Sequence, residues 1–229
     1  MVFSLVMMST LVPTIIGLNE ATKGARDQEE TRRAESRSRR CHLVATCEET
    51  TGSPTQRQQV HNAKVYLDKD YKVYIIKQPS PSMAPFNGQY YTHPAFGQDN
   101  SAGLISMSPE EPPLARWVYL DKETKQLSYG NRKDSEENVC GPFDWTEDEQ
   151  YVTLEGNERW LAVRLPDDVR REQEYEDLGL DDDKAVKGLW RLYFDREGNS
   201  LDLPEGTEMM TIRLKRDPVE EEEEEDDFF

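Results

Sequence analysis

Ala63-Lys64-Val65-Tyr66-Leu67-Asp68-Lys69-Asp70-Tyr71-Lys72-Val73-Tyr74-Ile75-Ile76-Lys77 is the stretch that decides the fold class. Ala63 to Leu67 and Tyr71 to Lys77 are short runs rich in Val, Ile and Tyr, and they flank the polar triplet Asp68-Lys69-Asp70. That pattern predicts a β-hairpin. The aspartate closing the first run has a defined task. Its side chain bonds the backbone N–H groups of the next two or three residues, and charged side chains occupy the exposed tip.

The hexapeptide Val65 to Asp70 returns as Val118-Tyr119-Leu120-Asp121-Lys122-Glu123 and as Leu192-Tyr193-Phe194-Asp195-Arg196-Glu197. The copies start 53 and 74 residues apart, which is too irregular for a propeller or a solenoid. Three similar hairpins in one sheet system are the first reading, and an internal repeat with a pseudo-symmetric surface is the second. Ala115 to Leu120 and Gln126 to Tyr129 form the hairpin around Asp121. Tyr151 to Leu154 and Arg159 to Leu165 flank Glu155-Gly156-Asn157 as another. Leu189 to Phe194 pairs with a strand beyond Asp195 to Asn199, and Met209 to Leu214 reads as a closing strand. The expectation is a mainly β chain, an antiparallel sandwich or barrel of about nine or ten strands.

The ends differ from this middle. Met1 to Leu18 is apolar and uncharged, either signal-like or an over-extended start, with Met8-Ser9 as a second start. Residues 19–47 read as a charged helical arm without an apolar stripe. Within it Arg32 to Arg40 holds five arginines against one glutamate. The β domain is placed at 48–217 and a disordered acidic tail at 218–229. Glu220 to Asp227 carries eight of the net 18 negative charges. A surface of this sign repels phosphate backbones, so neither nucleic acid nor an anionic membrane is an expected partner. Met1 to Leu18, interrupted by Pro13, also falls short of a stable membrane span.

Cys41, Cys47 and Cys140 are an odd, small set. Reduced thiols in an intracellular protein (cytoplasm or nucleus) are the first reading. A Cys41–Cys47 or Cys47–Cys140 disulfide in a secreted protein is the alternative. Of the three histidines, His42, His61 and His93, none has a metal-ligand spacing partner. No nucleophile-elbow or phosphate-loop glycine pattern occurs, so no metal or cofactor is expected.

Gln78 to Asn100 is a long segment with Pro79, Pro81, Pro85 and Pro94 and the aromatic cluster Phe86, Tyr90, Tyr91, His93 and Phe96. It reads as a loop, and exposed rings on a loop call for a partner or a core to cover them. Tyr90, Tyr91, His93 and Phe96, with Trp145, are therefore the candidate binding residues. His93 beside tyrosines and Asp144 beside Trp145 are the candidates for acid–base chemistry.

Arg40-Cys41-His42-Leu43 with Cys47, Val60 to Val65, Trp117-Val118-Tyr119, Gly141-Pro142-Phe143-Asp144 and Leu192 to Asp195 resemble a family of filamentous-fungal proteins, over about Arg40 to Leu203. The resemblance implies no activity and no catalytic residues. The first functional reading is a non-enzymatic interaction or scaffold protein with a protein partner. The alternative is a β-barrel that holds a small apolar ligand among its four tryptophans and ten tyrosines, and is an enzyme if His93 and nearby carboxylates act on that ligand.

Overall fold

Period-two alternation governs the backbone of this chain. In Cys41–Thr46 (β1) the residues Cys41, Leu43 and Ala45 are buried and the residues between them are partly exposed. The computed structural model describes residues 24, 26–91, 103–169, 188–198 and 201–219. It divides into two units, 1–39 and 40–229. The first contains a helix over 26–38 (α1) with no buried residue, and a solvent-exposed Arg32–Glu29 pair at 2.6 Å. The second contains all 13 strands found among the described residues.

Six of those strands close on themselves. β1 pairs with Ala63–Leu67 (β2), and β2 with Val73–Ile76 (β3). β3 pairs with Trp190–Phe194 (β12), and β12 with Trp160–Arg164 (β11). β11 pairs with Glu208–Pro218 (β13), which returns to β1 over six residue pairs from Cys41↔Pro218 to Thr46↔Arg213. All six contacts are antiparallel. The result is a closed barrel, the second form of the sandwich-or-barrel expectation.

The rest of the sheet hangs from β1. Gly88–Tyr91 (β5) joins it at Cys41↔Gly88, followed by Gly103–Met107 (β6), Ala115–Leu120 (β7) and Leu127–Gly130 (β8). Ala84–Pro85 (β4) flanks β2 at the sheet's edge, where a proline's missing N–H breaks no ladder. Phe143–Trp145 (β9) and Val152–Leu154 (β10) form a separate two-stranded sheet. Among the described residues the unit also has a helical stretch at 166–169 and two short helices, Pro54–Val60 (α2) and Arg132–Glu136 (α3). α2 and α3 each start with a capping box, Ser53 with Gln56 and Asn131 with Asp134.

The barrel interior is filled. Trp160, Trp190, Phe194, Leu43, Leu67 and Ile75 have essentially no exposed surface, and Trp160 lies edge-on to Phe194 at 4.8 Å. The indole N–H of Trp160 donates to the Val152 carbonyl at 2.7 Å, so its one polar atom is satisfied.

The three hexapeptides end as their sequence predicts. Asp68 Oδ1 accepts from the N–H groups of Asp70 and Lys72 at 3.0 and 2.9 Å. Asp121 Oδ1 accepts from Glu123 and Thr124 at 2.9 and 2.8 Å, and Asp195 Oδ1 from Gly198 at 2.9 Å. The three turns also meet. Lys72 bridges to Ser128, and Gln126 to Tyr193, so each copy leans on the next.

Several expectations are corrected. β1 lies inside the stretch 19–47 read as helical arm, because Cys41, Leu43 and Ala45 alternate into the core and the strand pairs with the distant β13. Gln78 to Asn100 is not all loop, since β4 and β5 lie within it and Phe86 is fully buried. The hairpin around Glu155-Gly156-Asn157 forms only its turn. Glu155 and Gly156 both have positive φ, 52° and 73°, which gives a tight reversal with a single bridge, Leu154↔Asn157. Beyond it β10 pairs with β9 while β11 joins the barrel, where Trp160 and Ala162 are buried. No strand directly follows Asp195 among the described residues, and the neighbours of β12 are β11 and β3. Met209 to Leu214 is indeed a strand, within the longer β13. The acidic run from Glu220 lies outside the described residues.

Candidate functional site

β5 separates the two adjacent tyrosines of the aromatic cluster. Tyr90 faces inward and is 7% exposed, and Tyr91 faces outward and is 56% exposed. The Tyr90 ring meets Trp145 edge to face with centroids 4.3 Å apart, and Trp145 is itself 5% exposed. The Arg216 guanidinium of β13 lies 5.0 Å from the Trp145 ring. Tyr90 and Trp145 therefore meet as part of the core. Asp144 accepts the N–H of Trp145 at 2.7 Å through Oδ1, a local backbone contact. His93 and Phe96 lie outside the described residues.

Tyr91 sits opposite Gly103 on β6, where no side chain blocks it, and its ring leans diagonally onto Trp117 of β7 at 6.1 Å. Ile105 pairs with both Gln89 and Trp117 in the register. The outward face of β5–β7 thus carries Tyr91, Ile105 and Trp117 side by side, with Trp117 and Ile105 half-buried. Sequence reasoning selected Tyr91 and missed its support, because Gly103 to Met107 was not recognised as the strand between them.

A second feature was missed altogether. Tyr71 follows the Asp68 turn with φ 61°, the left-handed region that a bulky residue seldom adopts. It is 46% exposed, with its ring 5.5 Å from that of Tyr129. The Tyr129 hydroxyl donates to the Asp68 carbonyl, and burial pushes its pKa up. Together with Lys69, Pro109, Glu110 and Glu111 these rings line a surface cleft of about 380 Å³. Arg116 donates to both carboxylate oxygens of Glu110 at 2.8 Å and holds that group below the usual carboxylate range. The only signal in the sequence was an aromatic directly after a turn.

All three cysteines are free. Among the described residues no group of three or more His, Cys, Asp or Glu side chains could hold a metal ion, and no helix is long and apolar enough to cross a membrane.

No curated protein and no solved structure matches the chain. A family model described as a fungal beta-trefoil domain does match, over residues 17–220. That span covers the closed six-stranded barrel, the added strands and all three abutting hexapeptide turns, and it bears out the resemblance to fungal proteins seen in the sequence. The chain belongs to the fungal beta-trefoil domain family.

Proposed function

We propose that this domain is a non-enzymatic binding protein that takes a protein partner on the outward face of β5–β7, centred on Tyr91. One observation carries the reading: Tyr91 is 56% exposed and seated on the half-buried Trp117, while its sequence neighbour Tyr90 and the nearby Trp145 are core. A tyrosine held this way offers a large contact area with little side-chain entropy left to lose, as interface anchors do. The filled barrel supports the same conclusion, since its interior is occupied by Trp160, Trp190 and Phe194 and leaves the outer surface for recognition. A net charge of −18 favours a partner with a basic rim. Three free thiols fit an intracellular, reducing compartment.

The test compares capture of partners from a fungal extract by the full chain, Tyr91→Ala and Met209→Ala, the last removing an exposed apolar side chain elsewhere, 53% accessible. The expected result is a partner retained by the wild type and Met209→Ala but lost by Tyr91→Ala. Identical capture by all three proteins contradicts the proposal. The cleft beside Tyr71 favours a second reading, in which a small ligand stacks on that ring and bonds to Glu110 or Glu111. A small ligand whose binding is lost in Tyr71→Ala and kept in Tyr91→Ala would carry it.

A further inference from the structure

Three cysteines occur in this chain, and their surroundings differ sharply. Cys41 is fully buried in β1, and burial pushes its thiol up to about 11. Cys140 is also buried. Cys47 alone is partly exposed, just past the end of β1. It lines a surface pocket of about 360 Å³ whose walls include His61, Glu48, Tyr151 and Arg213.

The chain builds this corner deliberately. α2 is started by Ser53 and Pro54 and stopped at His61, whose extended backbone (φ −64°, ψ 127°) leaves the helix. Asn62 follows with φ 61°, and its N–H donates to the Ala45 carbonyl at 2.9 Å, locking the end of α2 to the end of β1. This lock sets His61 against Cys47. The Cys47 backbone N–H donates to His61 Nδ1 at 3.3 Å, and Sγ lies 3.8 Å from the same nitrogen. Accepting that N–H keeps Nδ1 unprotonated and places the ring proton on Nε2. The single Nδ1 lone pair is thus shared between that N–H and the thiol beside it.

We infer that Cys47 is a reactive thiol that exchanges with small anionic disulfides of the glutathione type, with His61 as its general base. Cys47 Sγ forms a bond to one sulfur of the disulfide, whose own S–S bond breaks. The proton leaves Sγ for His61 Nδ1 and passes to the departing thiolate. The products are a mixed disulfide at Cys47 and one free small thiol, so no other oxidant is consumed. Burial pushes the Cys47 thiol up, while the Arg57 and Lys77 charges pull it back. Little thiolate therefore stands ready at neutral pH, and attack depends on His61 taking the proton. Arg213 in the pocket wall, together with the Arg57 and Lys77 charges acting on the sulfur, favours an anionic reagent. The pocket lies apart from the Tyr91 face, so this site does not rest on the binding function proposed above.

The test treats the folded full chain with oxidised glutathione at neutral pH and follows the adduct by peptide mass spectrometry. The expected result is one adduct, on Cys47, with Cys41 and Cys140 unmodified. His61→Asn keeps an acceptor for the Cys47 N–H and removes the base, and should slow the reaction about tenfold or more at unchanged thermal midpoint. Adduct shared equally among the cysteines, or a His61→Asn rate within about twofold of wild type, overturns the inference. A second measurement is independent of any variant: Cys47 must react faster in the folded chain than in the same chain unfolded in urea. A slower folded reaction also overturns it.

Discussion

At the scale of single residues, Tyr90 and Tyr91 carry the sharpest contrast in the molecule. Both belong to the cluster that composition marks as a recognition site, and the pleat of one strand sends them to opposite faces. Tyr90→Ala removes a ring packed on Trp145 and should cost about 3–5 kcal/mol in urea denaturation. Tyr91→Ala removes a ring that is mostly in water and should change stability by no more than about 0.5 kcal/mol. Equal losses would mean that β5 has a different register. The cluster was legible in the sequence, but its division was not. Pro79, Pro81 and Pro85 give the segment the look of a loop and hide the alternation of Gly88 to Tyr91. The Asp68, Asp121 and Asp195 turns were legible in full, because a capping carboxylate acts within two to four residues and needs no tertiary context. Tyr71 was not. Its importance lies in a left-handed backbone angle and in the proximity of Glu110, neither of which sequence spacing encodes.

Among elements, the same division between local and distant causes decides what could be read. The hairpins β2–β3 and β7–β8 follow from adjacent runs and a capped turn. The β10–β11 hairpin fails although its turn is sound, because burial of Trp160 and Ala162 draws β11 into the barrel between β12 and β13. β1 depends on β13, whose partner residues lie about 170 positions away, and no local pattern announces such a pair. β5 meets the barrel at one residue pair, and the backbone there is tightly packed against β6 and Phe86. At Gly88, paired with Cys41, a Cβ would stand 2.2 Å from the Ile105 carbonyl oxygen and 2.5 Å from Phe86 Cζ. Backbone and a fully buried ring cannot both yield. Gly88→Ala should therefore destabilise the protein by about 1–3 kcal/mol, measured as a lower urea midpoint at unchanged slope. A neutral substitution would show that β5 is looser against β6 than described.

Across the whole molecule, a closed barrel with a filled interior leaves recognition and thiol chemistry to the outer surface. Closure makes a specific demand. In a ring, β13 is held by both β11 and β1, so it cannot peel away as a terminal strand of an open sheet would. Native-state hydrogen exchange tests this directly. In a closed barrel the slowest amides of β13, of β1 and of β2–β3 exchange at one common free energy, equal to that of global unfolding in denaturant. Release of the β13 amides at a free energy well below that of β2–β3 would contradict it, because the strand that closes the ring would then be opening while the rest of the barrel stayed folded.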